Sequence, residues 1–257
     1  MSAPGPEADI PHDSRRNYDA ALEQEATLYF RDLAMTVRFV LLDAFEEIPM
    51  RLRAAILREL DDALARIVPI LPIDRVDVVL APSRRVIPEY GLDGITHGKG
   101  RITLSFDPDS AHLDEQQRGE RILGTLAHEL HHVARMRGPG YGETFGEVLV
   151  SEGLAQCFEI EVGAPVPFYA TCLDQEALQR SAERAQNDLS SNCYDHTAWF
   201  FGRKNDPGWP RYAGYALGFA LVRDWLSSRR TTAAAATGVA AAPILEAWAD
   251  AGFKITC

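Results

Sequence analysis

The stretch Thr125-Leu-Ala-His-Glu-Leu-His-His-Val133 decides the fold of this chain. His128 and His132 are four residues apart, so a helix places both imidazoles on one face, where they can bind one metal ion. Glu129 lies about 100° further round that helix and can reach a water molecule on the ion as a general base. The stretch is a complete H-E-x-x-H pattern. Apolar neighbours give the helix a buried face, namely Ile122, Leu123, Leu126, Leu130 and Val133.

A third histidine, His131, stands inside the pattern. A pair of His128 and His131 could also share an ion, but it would leave Glu129 and His132 without roles. We therefore expect His131 to have a structural role, or to support a ligand without binding the metal. Three histidines on an ordinary helix, with no metal at all, are the alternative to the whole interpretation.

A catalytic zinc ion needs three protein ligands and an open position. The metzincin extension is excluded, because its glycine and histidine positions hold Arg135 and Gly138. The next predicted helix, residues 142–161, follows a turn rich in glycine and proline, residues 138–142. An antiparallel helix would bring its side chains back beside the two histidines.

Glu152 is the predicted third ligand. It lies in the middle of an apolar helix, where a carboxylate without a partner costs several kcal/mol and a metal ion would remove that cost. Glu147, about 140° away on the helix, is the alternative ligand, and a residue elsewhere in the chain is another. Glu159 lies seven residues after Glu152 on nearly the same helix face, which suits a supporting role or a surface position.

Outside these two helices, the pattern predicts an α+β fold that is mostly helical. Residues 1–17 are expected to form a flexible tail, followed by one catalytic domain over residues 18–257. A small sheet over about residues 75–106 is expected from strands at Arg75–Leu80 and Arg101–Phe106, with a glycine-rich turn region, 91–100, between them. Helices are predicted over residues 18–45, 49–67, 115–137, 142–161, 173–187, 211–228 and 243–251. The alanine-rich residues 231–242 are expected to be a weak helix or a linker.

Composition and charge limit the classes of partner that we expect this chain to bind. The 257 residues carry a net charge of −11 without a cluster of five basic residues, which argues against nucleic acid. The N-terminus has no apolar signal core, and the longest uncharged stretch, Thr231–Leu245, is too short for a membrane span. Four dispersed cysteines without a C-x-x-C pair favour a cytoplasmic protein.

Four segments carry a resemblance to a known family. They are HELHHVAR from His128, LVSEGLAQCFEIE from Leu149, WFFGR from Trp199 and PRYAGYALGFALV from Pro210. In this order, over roughly residues 75–250, the chain resembles a bacterial family of predicted zinc-dependent proteases of the gluzincin type. The resemblance implies a zincin-like peptidase fold, with a small sheet packed on the metal-binding helices. It also implies one Zn²⁺ per chain, with His128, His132 and Glu152 as ligands and Glu129 as base.

One position departs from the best-known gluzincins. They place an acid four residues after the glutamate ligand to orient a histidine, and this chain has Gln156 there. An amide raises the basicity of a ligand less than a carboxylate does, so we expect weaker metal binding or a lower catalytic rate.

A tyrosine or histidine commonly stabilises the oxyanion in such sites. Tyr215 is the first candidate, since the resemblance also points to it, and Tyr212 and His196 are alternatives. Ile102–Phe106 is expected to be the edge strand that binds an extended peptide.

The sequence thus favours a zinc metallopeptidase, a hydrolase in which Glu129 is the general base for a zinc-activated water and the substrate is a peptide or protein. One alternative is a metal-binding regulatory or interaction protein with little turnover. Another is a hydrolase of non-peptide amides or esters.

Overall fold

The computed structural model describes residues 37–113 and 116–255, and this part of the chain has an α+β architecture. Its strands are β1 Val37–Leu41, β2 Val76–Pro82, β3 Leu92–Thr96 and β4 Arg101–Phe106. Its helices are α1 Met50–Ile67, α2 Arg118–Met136, α3 Phe145–Glu161, α4 Gln175–Ala185, α5 His196–Phe201, α6 Ala213–Arg229 and α7 Ala242–Asp250, with a 3₁₀ turn at Phe168–Ala170.

The four strands form one mixed sheet in the order β1-β2-β4-β3. β1 and β4 run parallel to β2, and β3 runs antiparallel to β4. Alternate residues of β2 and β4 are buried, as expected for strands with one face on the core. α2 packs on β3 and β4 with α1 beside it, so the sheet supports the helix that carries His128.

Most predicted helices and both predicted strands are confirmed, with ends that differ by a few residues. The short helix α5 was not predicted. The alanine-rich residues 231–242 form turns and not a helix until α7 begins at Ala242, and Ala233 and Ala236 are buried against the core. The predicted tail, residues 1–17, and residues 18–36 of the first predicted helix lie outside the described residues.

The prediction of a helix through residue 45 is wrong for Val37–Leu41, which forms β1. Its register pairs Val37 with Val76 and Leu41 with Leu80. Val37, Val40 and Leu41 fit helical spacing, but a short run with β-branched residues fits a strand equally well. Pairing with β2 decides in favour of the strand.

The prediction of turns over residues 91–100 is also wrong, because Leu92–Thr96 forms β3. Gly94 was interpreted as a turn residue, yet it lies inside the strand. A Cβ atom at Gly94 would lie 2.6 Å from Cγ of Glu129. The glycine therefore marks a close approach between β3 and α2.

Two glycines allow α3 and α6 to pack in direct backbone contact. A Cβ atom on Gly153 would lie 2.1 Å from the carbonyl oxygen of Gly218, and one on Gly218 would lie 2.5 Å from that of Leu149. This contact brings Tyr215 on α6 close to Glu152 on α3. Among the described residues, no helix combines the length and the apolar character needed to cross a bilayer.

Candidate metal centre

His128, His132 and Glu152 come together at the junction of α2 and α3. Nε2 of His128 lies 3.2 Å from Oε2 of Glu152, and Nε2 of His132 lies 3.4 Å from Oε1. One potential ligand atom from each residue lies within 4.8 Å of the others. All three side chains are buried, with 8%, 5% and 5% of their residue surface exposed. The structure therefore brings together the three predicted ligands.

This donor set fits a zinc ion. Ligand atoms bound tetrahedrally at about 2.0–2.1 Å lie about 3.3 Å from one another. The two histidines lie 3.2 and 3.4 Å from different oxygens of the Glu152 carboxylate, so either oxygen is placed close to a potential nitrogen ligand. Two imidazoles and a carboxylate are also a typical donor set for catalytic zinc.

Contacts within this cluster shift the pKa values of Glu152 and His128 in opposite directions. Burial favours the neutral form of Glu152, but the charge of His132 and the hydrogen bond from His128 outweigh it and hold the pKa of this carboxyl well below its usual value. Burial would lower the pKa of His128, but hydrogen bonds with Glu152 and Glu159 raise it well above its usual value. The cluster thus holds an ionised carboxylate that attracts positive charge.

Glu147, the alternative ligand, caps the N-terminus of α3 instead. Its carboxylate accepts hydrogen bonds from the backbone N–H groups of Glu143 and Thr144, at 3.0 and 2.9 Å. These bonds lower its pKa and, with the Thr144 side chain, complete a capping box at the start of α3. The cap fixes where α3 begins, and thereby the position of Glu152.

Glu159 supports His128. Its Oε1 atom lies 2.8 Å from Nδ1 of His128 and accepts a hydrogen bond from the Tyr169 hydroxyl at 3.2 Å. The residue is only 2% exposed, so of the two expected positions the buried, supporting one is observed. The amide of Gln156 instead donates to the carbonyl oxygens of Glu152 and Tyr215, at 3.3 and 3.1 Å. An acid that orients a histidine is therefore present, but seven residues after Glu152 and not four.

Glu129 faces the cleft beside the ligands. Its Oε2 atom lies 2.7 Å from the Thr96 hydroxyl, which is also 2.9 Å from the Glu129 carbonyl oxygen. Asp93, also on β3, lines the same cleft, and burial together with the charge of Glu129 raises its pKa to about 6. Sequence reasoning missed Thr96 and Asp93, since it placed them in a turn region.

His131 points away from the ligands. Its Nε2 atom lies 3.2 Å from the carbonyl oxygen of Ala233, and its ring packs on Phe158. The expected structural role therefore agrees with its contacts. His131 connects α2 to the alanine-rich segment, residues 231–242.

A cleft of about 780 Å³ opens over the cluster. All three oxyanion candidates, Tyr215, Tyr212 and His196, line it. Burial, followed by the charge of Glu152, raises the pKa of Tyr215 well above its usual value, so its hydroxyl keeps its proton. Tyr141 also lines the cleft, and its hydroxyl donates to Oε1 of Glu152 at 2.5 Å. Sequence reasoning missed Tyr141, although a tyrosine between two glycines in the connecting turn was visible.

The expected peptide-binding edge is wrong. Ile102–Phe106 lies in β4, which is paired on both sides, with β2 and β3. The described sheet ends in β1 on one side and in β3 on the other, and residues 93–96 of β3 line the cleft.

The family described as "Predicted Zn-dependent protease (DUF2268)" matches residues 58–246, a range that contains α2 and α3. The chain is similar to "Uncharacterized protein YjfC" of Bacillus subtilis (strain 168), with 28% identity over 179 residues. That alignment covers 65% of this chain and 58% of the relative, so the chain spans less than two thirds of it. No solved structure matches the chain.

Proposed function

This chain belongs to the family of predicted Zn-dependent proteases, and we propose that it is a zinc-dependent metallopeptidase of the gluzincin type with a zincin-like fold. One observation carries the proposal. His128 and His132 from α2 meet Glu152 from α3 in a buried cluster, with one potential ligand atom of each residue within 4.8 Å of the others, a donor set typical of catalytic zinc.

These three residues would hold one Zn²⁺ per chain. When bound, the ion supplies Lewis acidity, which polarises a peptide carbonyl and lowers the pKa of water. Glu159 holds the imidazole of His128 in the tautomer that presents Nε2 to the cluster, because its carboxylate accepts the Nδ1–H bond.

Glu129 moves the proton. The Thr96 hydroxyl holds Oε2, which leaves Oε1 to take a proton from the attacking water and pass it to the leaving amine. Gly94 lets the Glu129 side chain lie directly against β3, since any side chain at position 94 would occupy its place.

Tyr215 would donate a hydrogen bond to the oxyanion as charge develops on the carbonyl oxygen. Its raised pKa keeps the hydroxyl protonated throughout the neutral range. Tyr212 and His196 are the alternative donors, since both line the cleft. An extended peptide or protein segment would lie along β3, the end strand of the sheet that borders the cleft.

A regulatory metal-binding protein with little turnover was suggested by Gln156. Glu159 supplies the acid that position 156 lacks. The unidentified substrate also motivates this alternative, and chelator-sensitive peptide cleavage by purified protein that is lost in Glu129→Gln would exclude it. A hydrolase of non-peptide amides or esters would use the same residues and differ only in substrate.

Elemental analysis of purified protein tests the metal site. We expect one zinc per chain in wild type and a loss of zinc in His128→Ala and Glu152→Ala. Glu147→Gln is the matched control, because glutamine can also close the capping box at the start of α3 and Glu147 is not part of the cluster, so the zinc content should be unchanged. A wild-type protein without stoichiometric metal would contradict the proposal.

A peptide library then tests the activity. Glu129→Gln should bind zinc as wild type does and lose cleavage of any peptide that wild type cuts. Equal cleavage by Glu129→Gln would exclude the proposed mechanism, and cleavage of esters without cleavage of peptides would favour the non-peptide hydrolase.

A further inference from the structure

We propose that Tyr141 and Ser151 form a clamp that orients Glu152, which makes the loop between α2 and α3 part of the metal centre. The inference rests on the proposed function, since it concerns the same ion. It assigns positioning roles to two residues outside the H-E-x-x-H helix.

The first arm of the clamp is the Tyr141 side chain. Its hydroxyl donates to Oε1 of Glu152 at 2.5 Å, and its ring packs edge-on against His132 with the centroids 5.1 Å apart. One side chain therefore contacts two of the three ligands. The hydrogen bond limits rotation of the Glu152 carboxylate, whose other oxygen lies 3.2 Å from Nε2 of His128.

The second arm is Ser151, the residue directly before Glu152. Its hydroxyl donates to the backbone carbonyl of Tyr141 at 2.5 Å. Residues 151 and 152 thus hold the backbone and the side chain of the same tyrosine. Neither end of Tyr141 can move without breaking a hydrogen bond to α3.

Arg135 anchors the clamp from the far side. Its Nε atom donates to the Ser151 hydroxyl at 3.1 Å, and its Nη1 atom lies 3.3 and 3.0 Å from the carbonyl oxygens of Thr237 and Val239. Arg135 is 2% exposed and Ser151 is fully buried. No carboxylate pairs with Arg135 within residues 37–113 and 116–255, so this buried cation is held by neutral acceptors alone, an arrangement that is costly unless the acceptors are fixed.

The loop itself has little freedom. Gly140 and Gly142, on either side of Tyr141, have φ angles of 99° and 112°, which side chains rarely adopt. A Cβ atom on Gly142 would lie 2.3 Å from Cβ of Glu147. The two glycines thus fix the path of the loop, and Tyr141 reaches Glu152 from a constrained backbone.

Hydrogen bonds that orient metal ligands typically contribute a factor of 10–100 to metal affinity. We therefore expect Tyr141→Phe to weaken zinc binding about 10-fold to 100-fold and Ser151→Ala about 3-fold to 10-fold. Because both act through one chain of contacts, the double variant should bind zinc no more than about 3-fold more weakly than Tyr141→Phe alone.

The measurement is the zinc dissociation constant, obtained by competition with a chromophoric chelator. Tyr194→Phe is the matched control, since Tyr194 packs on Phe145 near the start of α3 and has no hydrogen bond to a ligand; its affinity should equal that of wild type. Chelator-treated Tyr141→Phe should unfold in urea with the same cooperativity as wild type and lose no more stability than one hydrogen bond to a charged group contributes, which separates positioning from a general loss of structure.

Zinc affinity of Tyr141→Phe within 2-fold of wild type would overturn the clamp while leaving the proposed function intact. If Tyr141→Phe does not fold, Ser151→Ala decides by the same measurement, and wild-type affinity in that variant overturns the clamp. Absence of zinc from wild type would defeat the proposed function itself and the clamp with it.

Discussion

Nδ1 of His128 lies 2.8 Å from Oε1 of Glu159, although 31 residues separate them in the chain. Burial raises the pKa of Glu159, while the hydrogen bond and charge of His128 act in the opposite direction. The pair spans α2 and α3 and ties the first histidine of the metal centre to the helix that carries Glu152. Glu159 thus supplies an acid partner to His128, while the Gln156 amide donates to two backbone carbonyl oxygens.

Glu159→Gln should weaken zinc binding about 10-fold to 100-fold, since an amide can still accept the bond from His128 but no longer raises the basicity of the imidazole. Chelator competition measures the dissociation constant, and the zinc-free urea midpoint shows whether the fold is kept.

Gln156→Glu is the informative comparison. Its side chain faces the carbonyl oxygens of Glu152 and Tyr215, so a carboxylate there cannot orient His128 and would be repelled by both carbonyls. We expect no gain in zinc affinity and a loss of stability of about 1–3 kcal/mol. Tighter zinc binding in Gln156→Glu would show that position 156 governs the histidine after all.

Asp93→Asn should stabilise the zinc-free protein at high pH. Burial and the charge of Glu129 raise the pKa of Asp93 from 3.8 to about 6. A raised pKa means that the contribution of Asp93 to stability is most favourable below pH 3.8, falls as the pH rises to about 6, and stays constant above it. The variant lacks this loss, so it should exceed wild type by about 1–2 kcal/mol at pH 8, after allowance for partial exposure.

Urea unfolding in the presence of chelator at pH 8 and pH 4.5 tests whether the stability difference between Asp93→Asn and wild type changes with pH in this direction. The advantage of Asp93→Asn should shrink at the lower pH, where folded wild type is largely protonated at this position. An advantage of equal size at both values would show that the carboxylate charge is not its cause.

The long helices were predictable from sequence, because three turns or more of apolar residues at helical spacing leave little ambiguity. The sheet was only partly predictable. Val37–Leu41 fits two periods, and Gly94 looks like a turn residue until the Glu129 side chain is placed beside it. Both errors arise because pairing partners distant in the chain decide the structure of short segments.

For the same reason, sequence spacing predicts the proximity of only some residues of the candidate metal centre. His128, Glu129 and His132 lie on one helical turn, so their spacing alone predicts their proximity. Thr96 and Tyr141 reach the site from β3 and from a loop, and their roles depend on how these segments pack against α2 and α3. Sequence spacing carries no information about such contacts.

Gly153→Ala should destabilise the protein by about 3 kcal/mol or more, as overpacking against a backbone leaves no side chain that can move away. The added Cβ would lie 2.1 Å from the carbonyl oxygen of Gly218. Alanine is otherwise the better helix residue, so a loss of stability reports the contact between α3 and α6. Urea unfolding of the zinc-free protein measures it.

Gly119→Ala, in the first turn of α2, is the matched control. Its Cβ would lie 3.7 Å from Cγ of Glu59, an ordinary contact. We expect a gain of up to about 1 kcal/mol from the helix preference of alanine. Equal effects of the two substitutions would contradict the close approach of α3 and α6.

Thr96→Val should lower kcat/KM for a responsive peptide about 10-fold to 100-fold while leaving the zinc content at one per chain. The Thr96 hydroxyl lies 2.7 Å from Oε2 of Glu129, and a hydrogen bond to a charged group contributes about 1.5–3 kcal/mol. Valine keeps the shape of the side chain, so β3 should be undisturbed, and the loss reports the contacts of the hydroxyl with the Glu129 carboxylate and backbone carbonyl. Thr96→Ser retains the hydroxyl and should restore most of the activity. If Thr96→Ser loses activity and Thr96→Val keeps it, the methyl group of Thr96 and not its hydroxyl positions the base.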